Sequence, residues 1–321
     1  MKKQIITLAT LATLLASCSN NEVYDVVNTS GNNLITFTNL NDKISRSAND
    51  SKDNYKVYAK LSTEGQTTWF IDDAVKEDNS IVSGNVYTWP TDVTVDFYAW
   101  APASVTATAT CPTISIDYTV PDAANQDFTI ATPVVNRNNS TGKTVAFQFS
   151  HMLSKISISA ELETELAKAG YLLDYTSAEL KVLSTGATIN PMSDTPDWTT
   201  LNSTAGTYTI NKGESCMIMP QNSKDCSIQL KGVTITKGGA TIFSGNLKVY
   251  TIKEDNIILN NKFAKNNQYN LKFTIDANAH DDGSTGGGGT GGDGELVFGN
   301  VIQFSAGIAK WDEASPVLPQ P

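Results

Sequence analysis

Histidine and arginine are almost missing from this chain: two of each occur in 321 residues, His151 and His280, Arg46 and Arg137. Proton relay through imidazole therefore has few places to sit. Basic residues are also outnumbered, 23 Lys and Arg against 33 Asp and Glu, for a formal charge of −10. That balance argues against nucleic acid and against an anionic membrane face, because both need clustered cations. No segment beyond the first sixteen residues is apolar enough to cross a bilayer core of roughly 30 Å. Cysteine occurs four times, with no CxxC and no Cys/His spacing suited to zinc. A GxSxG elbow is absent, and no GKS or GKT follows any Gly-rich run. No cofactor, metal or enzyme activity is expected.

What is present begins at the N-terminus. Lys2 and Lys3 precede an apolar run over residues 5–16, interrupted only by threonines, and Leu15-Ala16-Ser17-Cys18 supplies small residues before a cut. This predicts a removed signal peptide over residues 1–17. The cysteine after Leu-Ala-Ser resembles the lipobox of bacterial lipoproteins, whose thiol takes a diacylglycerol and becomes the new N-terminus. Cys18 is then the lipidation site and the lipid is the membrane anchor. Losing Lys2 and Lys3 leaves the exported form at −12. Of the remaining Cys111, Cys216 and Cys226, at most one pair can form a disulfide. Cys216 and Cys226 could meet on adjacent strands, and buried free thiols are the equal alternative.

Most of the chain alternates Val, Ile, Thr, Tyr and Phe with polar residues in short runs broken by Gly, Asn, Asp and Pro. Residues 93–100, 114–120, 144–149, 155–160, 227–235 and 269–275 read as strands. Period-two alternation buries one face and wets the other, which suits antiparallel β-sandwiches. A short helix is predicted only over residues 161–169, closed by Gly170. Residues 41–54 are polar and predicted to be loop. Residues 281–294 are mostly Gly, Thr and Asp, a composition that behaves as a tether with a root-mean-square reach of roughly 20 Å. Beyond it, residues 295–298 and 301–304 are β-prone again. Such a terminal strand can fold back on its own sheet or pair with another molecule.

His151 follows Ser150, but a Ser-His pair needs a third group and an oxyanion site to act as a nucleophile. A histidine bonding structure at a strand entrance is the simpler reading, and His280 beside Asp281 and Asp282 reads as a polar turn. Scattered acidic residues point to no carboxylate pair. The same region carries a resemblance. Phe149-Ser150-His151-Met152-Leu153-Ser154-Lys155-Ile156 resembles the F-x-H-x-x-S-K-I signature of the fimbrillin-like (Mfa-like) lipoproteins of Bacteroides and relatives. Residues 96–102, 127–131 and 267–271, with Ile308 and Trp311, resemble other stretches of that family in the same order.

The resemblance implies two tandem β-sandwich domains of transthyretin-like topology, here 47–145 and 146–280, after a pro-segment over 18–46 and before the tether and a C-terminal segment over 295–321. It also implies a type V pilus subunit that reaches the cell outer membrane as a lipoprotein. A trypsin- or arginine-type protease then removes the first strand, and a strand of the next pilin subunit fills the groove. Residues 34–38 supply that first strand and Arg46-Ser47 the cut, in a polar loop where proteases act. Ile302, Phe304, Ala306 and Ile308 share parity and are the donor candidates. The expected partners are sister subunits, the outer membrane through the lipid, a processing protease, and a host or bacterial receptor for adhesion or biofilm formation. The alternative is a monomeric surface lipoprotein that stacks glycans on Trp69, Trp89, Trp100 or Trp198. A secreted hydrolase is the remaining class.

Overall fold

The computed structural model describes residues 33–40, 54–121, 126–247, 249–252 and 261–275, together with the backbone of 301–310. The first half of the chain forms β1 (Thr36–Asn39), β2 (Tyr55–Leu61), β3 (Ile71–Val75), β4 (Val95–Ala101), β5 (Thr108–Thr110), β6 (Thr113–Thr119), β7 (Thr129–Ala131), β8 (Val134–Arg137), β9 (Thr144–Phe147) and β10 (Phe149–His151). Next come β11 (Ser154–Leu162), the helix α1 (Thr164–Lys168), β12 (Tyr171–Asp174), β13 (Ser177–Val182), β14 (Gly186–Ile189), β15 (Trp198–Leu201), β16 (Gly206–Asn211), β17 (Ser215–Ile218) and β18 (Gln221–Asn222). The remainder is β19 (Ser227–Lys231), β20 (Val233–Lys237), β21 (Ala240–Gly245), β22 (Tyr250–Thr251), β23 (Lys262–Phe263), β24 (Asn267–Ile275) and β25 (Val301–Lys310).

The expected all-β class holds, with three local differences. Residues 144–149 divide into β9 and β10, which pair with different sheets. Residues 227–235 divide at Gly232, whose φ is +57°; a Cβ there would lie 2.5 Å from the Thr176 hydroxyl. The helix keeps only Thr164–Lys168, because Ile156, Ile158 and Leu162 extend the alternation of β11 and its ladder to β24 runs to Leu162 opposite Ile275. A nine-residue ladder outweighs the helical preference of two residues.

Two cores organise the strands. The first is built from Ile35, Phe37, Val57, Phe97, Val145, Phe147 and their neighbours; the second gathers the C-terminal half with Tyr58, Trp100, Ile116 and Phe128. The sheet ordered β10-β7-β4-β2-β3, with β8 also on β4, lies between them. Val57 and Ala59 of β2 and Phe97 and Ala99 of β4 face the first core, while Tyr58, Tyr98 and Trp100 face the second. Burial on both faces explains the unbroken apolar run Phe97-Tyr98-Ala99-Trp100. The sheets do not follow a boundary at 145/146: β6 leaves the N-terminal half and pairs with β14, Gly186 opposite Thr119 through Ile189 opposite Ile116. Two pairings among the described residues are parallel, β1 with β9 and β11 with β24. The latter stand at the centre of the sheet β17-β11-β24-β25.

Candidate functional site

β1 sits in a slot with two rails. Ile35 and Phe37 alternate with Thr36 and Thr38, so one row points inward: Ile35 and Phe37 are each 4% exposed. Along one rail β1 runs parallel to β9, Thr36 opposite Thr144 and Phe37 opposite Val145. Thr36 N–H donates to the Lys143 carbonyl at 3.2 Å and Leu40 N–H to the Phe147 carbonyl at 2.9 Å. The second rail is the segment from Tyr87 to Trp89, antiparallel to β1 through the bridge of Leu34 with Thr88. Ile35 N–H donates to the Tyr87 carbonyl at 2.9 Å, and Trp89 N–H donates to the Asn33 carbonyl at 3.0 Å. The Trp89 indole N–H donates to the Lys143 carbonyl at 3.3 Å, so the rails are bonded to each other at one end.

The floor of the slot is aromatic. The Phe37 ring stacks on Phe147 at 6.0 Å and meets Phe97 edge-on at 6.2 Å. Trp89, 2% exposed, meets Phe97 edge-on at 5.7 Å. Without β1, the Phe147 and Tyr87 carbonyls and the Trp89 N–H would lose their β1 partners, the Lys143 carbonyl would keep the Trp89 indole, and an apolar row would meet water. Unpaired edges of this kind are templates for another strand.

The second rail is held by a carboxylate. Asp73 of β3, 7% exposed, accepts from the Ser83 hydroxyl, from Asn85 Nδ2 at 3.3 Å, from the Tyr87 hydroxyl at 3.1 Å and from Ala74 N–H at 2.8 Å. Burial pushes the Asp73 carboxyl up, but the Ser83, Ala74 and Tyr87 hydrogen bonds outweigh it and hold the group below its ordinary value. Neither this rail nor Asp73 was predicted from sequence. Val86 and Tyr87 do not form a long alternating run, and the side-chain partners of Asp73 are ten to fourteen residues away.

The fimbrillin-like signature residues join the two cores. Phe149 packs on Tyr55 at 5.5 Å in the first core. His151, 2% exposed, holds Asp127 through Nδ1 at 2.5 Å. Ser154 is fully buried and donates to the Ala264 carbonyl at 2.8 Å. Lys155 lies on β11 between Met217 and Gln268, and Ile156 is fully buried in the second core. Within two strands the chain passes from one core to the other.

Of the other predicted residues, Cys18, Arg46 and Ser47 lie outside the described residues. The donor candidates fall on β25, an edge strand antiparallel to β24: Ile308 stands opposite Tyr269, Ala306 opposite Leu271 and Phe304 opposite Phe273, while the register shifts beside Ile302. Tyr269, Leu271 and Phe273 are buried. Cys111, Cys216 and Cys226 are free thiols, the last two buried. The four tryptophans named as sugar platforms donate their indole N–H groups to main-chain carbonyls, of Ala109, Lys143, Val105 and Met152 in sequence order. Trp89 and Trp100 are buried and Trp69 and Trp198 pack against the second core, so they do not form an open stacking face.

A family model described as fimbrillin-like matches residues 41–311 of the chain. Among solved structures, a candidate cell adhesion protein from Bacteroides uniformis is 16% identical with a TM-score of 0.55, covering 88% of this chain and 99% of that one. A fimbrial protein from Bacteroides vulgatus is 14% identical with a TM-score of 0.55, covering 87% and 99%. At these identities the likeness is one of fold. No curated protein matches the chain.

Proposed function

The chain belongs to the fimbrillin-like family, and from that premise we propose that it is a pilin polymerised by strand exchange, exported as a lipoprotein on Cys18 and cut at Arg46-Ser47. Its family makes it a structural protein of fimbriae, not an enzyme. The observation that carries the finer reading is the seat of β1. A four-residue strand closes an aromatic core between two rails, and the chain downstream of it leads directly to Arg46.

Cutting after Arg46 leaves β1 held by two buried side chains and a handful of hydrogen bonds. Each buried Ile or Phe contributes roughly 1.5–3 kcal/mol, and each hydrogen bond about 0.5–1.5 kcal/mol net. A competing strand that fills the same positions and adds more can displace it. Arg137, the other arginine, lies in β8, and its guanidinium donates to the Thr141, Gly142 and Thr144 carbonyls. That hold favours a cut selective for Arg46. The donor on this reading is β25 of a neighbour, released on the tether over 281–294. Such a head-to-tail contact does not close on itself and builds a filament, serving adhesion or biofilm formation from the outer membrane.

The test is trimming with trypsin followed by electrophoresis in SDS without boiling. A ladder of multimers after loss of the residues up to 46 is the expected result. A trimmed protein that stays monomeric at high concentration would sink the pilin reading.

A further inference from the structure

β3 turns three side chains inward, Ile71, Asp73 and Val75, and all three are buried. A carboxylate in an otherwise apolar row costs stability unless hydrogen bonds offset it, and local rules are broken in this way where a site requires it. What Asp73 holds is the second rail. Residues 83, 85 and 87 share one face of that segment. The Ser83 hydroxyl, the Asn85 amide and the Tyr87 hydroxyl all donate to the same oxygen, Asp73 Oδ2, while Oδ1 takes the Ala74 N–H. Ser83 in turn accepts from the Asn85 N–H at 3.1 Å. The two rails are therefore fixed by different means. Val145 and Phe147 of β9 are fully buried and pin the first rail whether or not β1 is present. On the second rail none of residues 82–88 is buried, and Val86 is 72% exposed. Trp89 anchors one end of it, and the bond from Val82 N–H to the Ala74 carbonyl holds the other. Between these ends stand the Ile35 N–H bond, the edge of the Tyr87 ring on Phe70 at 6.2 Å, and Asp73. When β1 leaves, the Ile35 bond leaves with it and Asp73 stays.

Resting on the strand-exchange reading, we propose that Asp73 is a positioning residue for that exchange: it keeps the second rail in place while the slot is empty, so that an arriving strand meets two rails instead of one. A strand seated between two rails bonds through both of its edges, and with the second rail adrift it bonds through one. A site that is formed only part of the time binds with an apparent affinity reduced by that fraction. Asp73 touches neither β1 nor the apolar floor through the bonds it makes; it acts through Tyr87, whose carbonyl accepts from Ile35. It thus governs how readily the slot refills, and leaves the choice of strand to the floor.

Two measurements on the full chain test this. Asp73→Asn turns one of the two acceptors into a donor, so either Ala74 or the three rail donors lose theirs. By native-state hydrogen exchange before trimming, the Ile35 and Trp89 amides, which bond across the second rail, are expected to lose protection on the order of tenfold or more. The Thr36 and Leu40 amides, bonded to the first rail, are expected to change far less. After trimming by an arginine-specific protease, the ladder of multimers is expected to form on the order of tenfold more slowly than in the wild type. Ser83→Ala combined with Tyr87→Phe leaves Asp73 in place and removes two of its rail donors; it should reproduce both effects, and it decides the matter if Asp73→Asn does not fold. Equal loss at all four amides, or no loss at Ile35 and Trp89, overturns the proposal, as does a variant ladder that grows at the wild-type rate. A wild-type protein that forms no ladder refutes the strand-exchange reading and the role in exchange with it, while the amide pattern separately accepts or rejects the hold of Asp73 on the rail.

Discussion

Replacing Phe37 by Ala tests how β1 is held. The ring is 4% exposed and lies against Phe147 and Phe97 at 6.0 and 6.2 Å. Truncating a buried Phe to Ala costs about 3–5 kcal/mol. The other inward side chain, Ile35, contributes roughly 1.5–3 kcal/mol, so the variant keeps at most about half of the apolar grip on the strand. At about 1.4 kcal/mol per factor of ten, opening of β1 becomes roughly a hundred- to several-thousand-fold more frequent. Native-state hydrogen exchange reads this at the amides of Ile35, Thr36 and Leu40, which donate to Tyr87, Lys143 and Phe147. Their protection is expected to fall by that factor while the ladder between β11 and β24 keeps its own, since β1 touches the first core only. If the β11 amides lose protection in step with Ile35, β1 is part of the global folding unit and the idea of a separable strand fails. If nothing changes, Phe37 does not hold it.

Three further outcomes are expected. His151→Ala leaves the Asp127 carboxylate without its imidazole partner where the two cores join, and should lower stability by about 1–3 kcal/mol; an unchanged urea midpoint would rule that out. Asp73 sits below its ordinary pKa when folded, so its contribution is present above the unfolded value of about 3.9 and is lost as pH falls through the lower folded value. The urea midpoint of the wild type should therefore drop more steeply below pH 4 than that of Asp73→Asn, and parallel curves would refute the carboxylate's role. Burial raises the Cys216 thiol strongly and pushes Cys226 up to about 12, so in folded protein at pH 8 iodoacetamide should reach the partly exposed Cys111 first; labelling of Cys216 or Cys226 at the Cys111 rate would count against the packing.

Local pattern carried much of this fold and little of its assembly. Strands β4, β6, β11 and β24 were legible because alternation and β-branched residues act within a few neighbours. The break at Gly232 was missed although the buried positions change phase there, from Ile228 and Leu230 to Val233 and Ile235; the turn itself follows from backbone freedom and the approach of Thr176. Pairings across more than a hundred residues, β1 with β9 and β11 with β24, leave no local trace. The same holds for β6 crossing to β14, and so the sheets cross a boundary drawn from sequence. At the slot, residues 34–38 were readable as a strand, but its second rail is a loop shaped by Asp73, and a side-chain network is invisible until the fold brings it together.

The parallel run of β1 with β9 has a mechanical consequence. β9 continues through β10 directly into β11, which is paired along its length with β24 and at its start with β17. A strand that took the place and direction of β1 would be tugged from its N-terminal end by the subunit it came from, and β9 from its C-terminal end toward β11. Parallel neighbours tugged from opposite ends slide against each other. Every bond between them must then yield together, whereas antiparallel neighbours loaded this way would peel apart one bond at a time. A short joint of this geometry resists stretching far better than its size implies, which suits an appendage exposed to flowing fluid.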